Sequence, residues 1–344
     1  MYFRLNRISF APIAMLAATV ALAAPKPKPA PKPKPPAKRV VLGTKQLSGD
    51  QAVPGQEYTL GKGWPMNFKL NSAEYTTDRV RIGEQIHYPT AAEKLLLIRF
   101  TYHNPQSSEQ LVRFDSFAFT AVDDTDTNHE ARQGVGVEST QMDLGVRLKP
   151  GQKIDAYTFI RVPAKGTVPK LIVKSRDNLV LRYDLKGKVK PLTGPALDPA
   201  ANDGATALSE VPAEIGKTYQ MGVFDVTVDG VEYSTTALKN QQLRAGERNF
   251  IITVTAKNAQ PREQLLRFDT IPIKCTDQDG GRISFPQRML AASRDADFNT
   301  RLALGKDVKV RFPVKVGGDQ QVAKVAMSSG GDSRTYVFDT SAVK

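Results

Sequence analysis

Leu95-Leu96-Leu97-Ile98-Arg99-Phe100-Thr101-Tyr102-His103-Asn104 decides the fold, because the chain writes the stretch again as Asn249-Phe250-Ile251-Ile252-Thr253-Val254-Thr255-Ala256-Lys257-Asn258. In the first copy Leu96, Ile98, Phe100 and Tyr102 alternate with Leu97, Arg99, Thr101 and His103. In the second, Phe250, Ile252, Val254 and Ala256 alternate with Ile251, Thr253, Thr255 and Lys257. A period of two sends successive side chains to opposite faces, so both stretches read as half-buried strands. In that register His103 shares the outward face with Lys257, which predicts a surface histidine.

The match extends in both directions. Leu95 to Thr125 lies on Asn249 to Asp279 without a gap at an offset of 154, with Asn104 on Asn258, Gln106 on Gln260 and Arg113-Phe114-Asp115 on Arg267-Phe268-Asp269. Val53-Pro54 and Glu74-Tyr75 match Val211-Pro212 and Glu232-Tyr233 at an offset of 158, so the first copy has about four extra residues between Asp78 and Glu93. Such a period means whole domains rather than solenoid repeats of roughly 20–50 residues. Further alternating runs follow: Phe117, Phe119 and Ala121 against Ile271, Ile273 and Cys275, then Ile154 to Val162 against Val308 to Val316. Short strands separated by turn signals predict an all-β chain of two tandem immunoglobulin-like antiparallel β-sandwiches, 48–188 and 210–344. The Gly-, Pro-, Ala- and Asp-rich segment 189–209 reads as a flexible linker between them.

Leu111-Val112-Arg113-Phe114-Asp115, the turn at Asp123-Asp124, Leu148-Lys149-Pro150-Gly151-Gln152 and Tyr157-Thr158-Phe159-Ile160-Arg161-Val162-Pro163 follow one another in the first copy. This succession resembles the bacterial immunoglobulin-like modules of the immunoprotective extracellular protein family. The resemblance covers most of 65–186 and, more loosely, 222–340, where Pro150 becomes Leu304 and Pro163 becomes Gly317. It implies a secreted or surface-attached β-sandwich and brings no catalytic residues with it.

Charge is unevenly distributed. The 344 residues carry 48 Lys+Arg against 35 Asp+Glu, a net +13, but residues 1–39 hold eight of the bases and no acid, leaving 40 bases against 35 acids in 40–344. The basicity therefore belongs to the N-terminal segment. Arg4 and Arg7 precede the apolar run Ala14 to Leu22, and Ala21-Leu22-Ala23 is a small-x-small cleavage pattern, so 1–23 reads as a signal peptide. Pro12 leaves the run short of the roughly 20 residues a membrane span needs, so no stable span is expected after cleavage. Residues 24–47 read as a Pro/Lys-rich disordered linker of polyproline II character, in which Lys26, Lys28, Lys32, Lys34, Lys38 and Arg39 are candidates for contact with an anionic surface.

Candidate chemistry is sparse. One cysteine excludes a disulfide framework and a Cys-rich zinc site, and as the counterpart of Ala121 it should be buried and inert. His87, His103 and His129 are the only histidines, and no Gly-x-Ser-x-Gly, Ser-x-x-Lys or His-Glu-x-x-His pattern accompanies them. Asp124, Asp126 and Asn128 alternate in the acidic loop 123–130 as calcium ligands do, although His129 stands where an EF-hand has Gly and Val135 where it has Glu. Trp64-Pro65 offers a carbohydrate platform, with an edge or core plug as the blander expectation. Arginines are numerous but interspersed with acids, and no row of exposed aromatics accompanies them, so nucleic acid is not the expected partner.

The expectation is a secreted or periplasmic, non-catalytic protein that binds or scaffolds a cell-envelope polymer or protein, without a cofactor. Second stands a ligand- or calcium-binding accessory module using the 123–130 loop, and third an envelope hydrolase.

Overall fold

The computed structural model describes residues 52–132, 134–238 and 241–344; the signal-peptide and Pro/Lys-linker assignments, with Lys26, Lys28, Lys32, Lys34, Lys38 and Arg39, lie outside them. Among the described residues every regular element is a strand. The first half contains β1 (Glu57–Leu60), β2 (Met66–Thr76), β3 (Val80–Ile82), β4 (Gln85–His87), β5 (Glu93–His103), β6 (Gln110–Arg113) and β7 (Phe117–Val122). It continues through β8 (Asn128–Glu130), β9 (Gly136–Val137), β10 (Gly145–Leu148), β11 (Lys153–Pro163), β12 (Lys170–Ser175) and β13 (Val180–Asp184). The second half contains β14 (Glu210–Ala213), β15 (Thr218–Met221), β16 (Phe224–Ser234), β17 (Glu247–Asn258), β18 (Gln264–Leu266) and β19 (Ile273–Asp277). It ends with β20 (Arg282–Ile283), β21 (Leu290–Ala291), β22 (Thr300–Leu302), β23 (Asp307–Gly317), β24 (Val322–Met327) and β25 (Thr335–Asp339).

Each half is a sandwich of two sheets. In the first, β1-β2-β5-β11-β9 faces β13-β12-β7-β8; in the second, β15-β16-β17-β23-β21 faces β14-β25-β24-β19-β20. Pairing is antiparallel except between β14 and β25. The two matching stretches, 95–104 and 249–258, fall on the central strands β5 and β17, and each half has its own core. Phe68 centres the first, its ring 5.4 Å from Phe100, 5.5 Å from Phe117 and 6.0 Å from Phe119, which ties the two sheets together. Offset and tilted ring packing of this kind adds to the burial of the rings themselves.

The same bonds recur at the same sequence offsets. Asn104 donates from its amide to the carbonyls of Leu148 and Ser108, both at 2.8 Å, and accepts from the Gln106 N–H at 2.9 Å. Asn258 does likewise with Leu302, Arg262 and Gln260 at 2.8, 2.9 and 2.8 Å. The Tyr75 hydroxyl accepts from Val168 N–H at 2.6 Å, and that of Tyr233 from Val322 N–H at 2.8 Å. Even the irregularities coincide: β2 bulges between Leu70 and Ser72, β16 between Val228 and Gly230. In each bulge the extra residue, Asn71 or Asp229, bonds a threonine of the central strand, Thr101 or Thr255. A bulge left unpaired by the ladder is held by its side chain.

Three expectations need correction. First, β5 is buried on both faces: Leu95 and Leu97 join Val80, Ile82, Tyr157 and Phe159 in a small third cluster beneath the β3–β4 hairpin. That hairpin lies in the segment between Asp78 and Glu93, where the first half is about four residues longer than the second. Second, His103 is only 6% exposed. Its Nδ1 lies 2.5 Å from Glu57 and 3.3 Å from the Asn67 amide, so neighbouring strands cover a face the alternation left open. Burial would raise the Glu57 carboxyl, but hydrogen bonds from His103 and Asn67 outweigh it and hold the group below its usual range.

Third, 189–209 is not a free tether. Leu192, Ala205 and Ala207 are buried in the first core, Lys190 exchanges backbone bonds with Ala73 and Tyr75, and Ala207 N–H donates to Ala164 O at 2.8 Å. Its small residues pack closely where composition suggested only a lack of periodicity.

Candidate functional site

The carboxylates of the acidic loop are taken up by contacts within the fold. Asp123 is buried, and its Oδ1 accepts from the backbone N–H of Thr125 and Thr127 and from the Thr125 hydroxyl, while Oδ2 lies 2.8 Å from His129 Nε2. Burial opposes ionisation, yet the bonds from His129, Thr125 and Thr127 prevail and hold this carboxyl far below its usual range. Asp124 accepts from Thr167 N–H at 2.7 Å, Asp126 sits 3.5 Å from Lys170 Nζ, and Asn128 is exposed on β8. Asp124 and Asp126 thus have separate partners, Thr167 and Lys170, and Asn128 is exposed. Among the described residues no group of three His, Cys, Asp or Glu side chains gathers as a metal site would need.

His87, His129 and Cys275 make internal contacts as well. The ring of His87 packs 5.0 Å from that of Phe159, and burial, then the charge of Arg161, lowers its basicity. His129 has no hydrogen bond to a Ser, Thr or Cys among the described residues, so its pair with Asp123 lacks a nucleophile. Cys275 is buried in the second core, and burial pushes its thiol up to about 12.

Trp64 is where the structure departs most from expectation. The indole plugs nothing: it is 74% exposed. It stands on the turn joining β1 to β2, at the rim of an open cleft of about 630 Å³ also lined by Leu111, Arg113, Arg147, Ser116 and Arg176. The turn is built to present it. Gly61 has φ +101°, and a Cβ there would meet the Trp64 carbonyl oxygen at 2.6 Å, so the tight approach requires glycine. From the β12–β13 loop, Asp177 Oδ2 accepts from the N–H groups of Lys62 at 2.7 Å and Gly63 at 3.3 Å. Arg176 and Arg113 both approach Asp115, at 2.5 and 3.7 Å. Arg147 sits on β10 opposite Leu111, and its guanidinium has no hydrogen bond or ion pair among the described residues.

The equivalent end of the second sandwich is covered. There the β15–β16 turn and the β24–β25 loop receive the first half: Arg79 pairs with Asp225 and donates its N–H to Gln220 at 2.9 Å, and Ala91 N–H donates to Asp332 O at 2.6 Å. Arg334, only 6% exposed, donates to Leu208 O at 2.9 Å, Thr90 O at 3.0 Å and Glu93 O. By sequence offset Arg176 corresponds to Gly330 and Asp177 to Gly331. One end carries glycines and a neighbour; the other carries an indole and arginines.

Sequence reading passed over Lys94. This side chain is fully buried, 4.8 Å from the Tyr75 ring centroid, and donates to Ala164 O at 3.3 Å and Gly166 O at 2.6 Å. Its counterpart Arg248 lies 3.8 Å from the Tyr233 ring and donates to Gln320 O at 3.3 Å. A cation beside a tyrosine in both halves was the available signal. Burial lowers Lys94 to about 8, although Asp203 and Asp124 oppose the shift.

No protein-family model matches the chain, and no curated protein does. Among solved structures it is similar to an uncharacterized beta-sandwich protein from Clostridium difficile, with 19% identity over 38% of this chain and 95% of that one, at a TM-score of 0.29. It is also similar to MPT63, a secreted protein from Mycobacterium tuberculosis, with 16% identity over 38% and 97% at 0.27, and to the yjhA protein from Bacillus subtilis, with 16% over 37% and 97% at 0.26. The all-β sandwich assignment stands on the strand pairing and the separate cores described above.

Proposed function

We propose that this is a secreted or periplasmic, non-catalytic protein that binds a cell-envelope polymer or protein, built as a tandem duplicate of an immunoglobulin-like module of the immunoprotective extracellular type. The observation that carries the reading is the Trp64 cleft: an exposed indole, held by Gly61 and Asp177, among arginines at an end of the first sandwich that no other described segment covers. An apolar platform with a few convergent polar groups is how a binding site is ordinarily built. The repeated hydrogen bonds support the duplication. The commitment of His87, His103 and His129 to internal contacts supports a non-catalytic role. No helix among the described residues is long and apolar enough to cross a membrane. The Pro/Lys segment serves this reading as a cationic spacer from an anionic envelope.

The test is retention of the chain from residue 24 by isolated envelope material. Trp64→Ala should reduce retention severalfold, and removal of 25–39 should remove its salt-sensitive part, since exposed charge contacts weaken with ionic strength. Undiminished retention by Trp64→Ala would overturn the reading.

A further inference from the structure

We infer that the Trp64 cleft takes an acidic saccharide, a pyranose unit bearing a carboxylate within a longer polymer; this rests on the envelope-binding reading and names its ligand. Three features point to that chemistry. The indole exposes a flat apolar face, which suits the C–H face of a sugar ring. Of the cleft's arginines, Arg113 and Arg176 are engaged by Asp115, whereas Arg147 has no charged partner among the described residues. A guanidinium so placed matches a carboxylate with two parallel hydrogen bonds. The cleft also mixes polar and apolar groups: Ser116, whose hydroxyl oxygen accepts from the Arg113 N–H at 2.9 Å, and Glu109 line it together with Leu111 and Trp64, offering partners for sugar hydroxyls. Its volume of about 630 Å³ falls within the span of small-ligand sites.

The fold explains why the site is open. The corresponding end of the second sandwich is occupied by the first half through Arg79, Tyr88 and Ala91. The first sandwich has no such neighbour among the described residues, and its β12–β13 loop carries Arg176 and Asp177 where the second carries Gly330 and Gly331. Single-stranded nucleic acid is less well served, because tracking it takes successive aromatic platforms and this cleft has one tryptophan.

Trp64 is the chain's only tryptophan, so its emission reports directly on the cleft. Tetragalacturonate titrated into the chain from residue 24 should shift that emission saturably, and neutral cellotetraose should bind about tenfold more weakly, the equivalent of about 1.4 kcal/mol. Arg147→Gln should weaken tetragalacturonate about tenfold and Arg147→Lys less, with far-UV circular dichroism and melting temperature unchanged because the side chain has no internal partner. Added salt should weaken the acidic sugar but not the neutral one. The inference is overturned by no saturable shift at millimolar tetragalacturonate, by equal binding of cellotetraose, or by tighter binding of poly-glutamate or oligo-dT. Trp64-dependent retention on envelope material without saccharide binding would overturn this ligand assignment alone and leave the binding reading standing.

Discussion

The two sandwiches agree in their interiors and differ at their ends. Asn104 and Asn258 make the same three hydrogen bonds, Tyr75 and Tyr233 accept the same backbone N–H, and the bulges at Asn71 and Asp229 fall in register. Yet one end presents Trp64 and the other receives Arg79 and Ala91. Bonds that satisfy buried backbone groups constrain a side chain in every copy of a fold, because an unpaired buried polar group is costly. End loops carry no such obligation, so they diverge according to what lies against them.

The sharpest way to break this comparison is to remove the shared bonds. Asn104→Ala and Asn258→Ala each delete three bonds, to two carbonyls and one N–H, which should cost roughly 4 kcal/mol in each case. Urea denaturation of the two variants would measure it, and costs differing by more than about 2 kcal/mol would show that the halves are not equivalent scaffolds.

Lys94 and Arg248 offer a titration. With its folded pKa near 8 against an ordinary 10.5, Lys94 binds fewer protons in the folded chain than in the unfolded one between those values. Stability should therefore rise with pH across that window, by up to about 3 kcal/mol. Burial also raises the tyrosines Tyr75 and Tyr157 to about 12, which works the opposite way above pH 10. The measurement is thus the difference between wild type and Lys94→Arg, which copies the second half and stays charged throughout. A flat difference curve would mean that the ammonium is not desolvated.

Arg334 joins the halves through three carbonyls. Arg334→Met should cost about 2 kcal/mol and turn one calorimetric unfolding transition into two, since it removes three of the bonds that, with those of Arg79 and Ala91, couple the sandwiches. A single transition in the variant would place the coupling elsewhere in the interface.

The smallest expected effect belongs to Asp177. Asp177→Ala releases the Lys62 and Gly63 N–H groups on an exposed turn, so stability should fall by less than about 1 kcal/mol while Trp64 emission broadens and saccharide affinity drops. Unchanged emission would show that the turn presents the indole without this support.

The strands were legible because alternation survives in any half-buried sheet: Phe117, Phe119 and Ala121, like Ile273 and Cys275, are buried as their pattern requires. Alternation failed at Leu95 and Leu97, where a second layer covers the outer face, and at His103, which Glu57 and Asn67 of neighbouring strands enclose. A period of two tells which residues share a face but not what lies beyond it. The site was less legible still. The oxygens of Asp123 and Asp124 looked available until the fold turned them onto Thr125, Thr127, His129 and Thr167, while a lone Trp before Pro looked like a plug until the turn held it outward.

By itself the sequence determined the fold class, the repeated strands and the buried thiol of Cys275, because local periodicity and the internal match express constraints that each segment carries on its own. Only the tertiary structure decided that 189–209 packs into the first core, that His103 and Lys94 are buried, and that one sandwich end closes while the other opens around Trp64. Those outcomes depend on which distant segments meet, since burial and electrostatic environment belong to the assembled neighbourhood rather than to any stretch of chain.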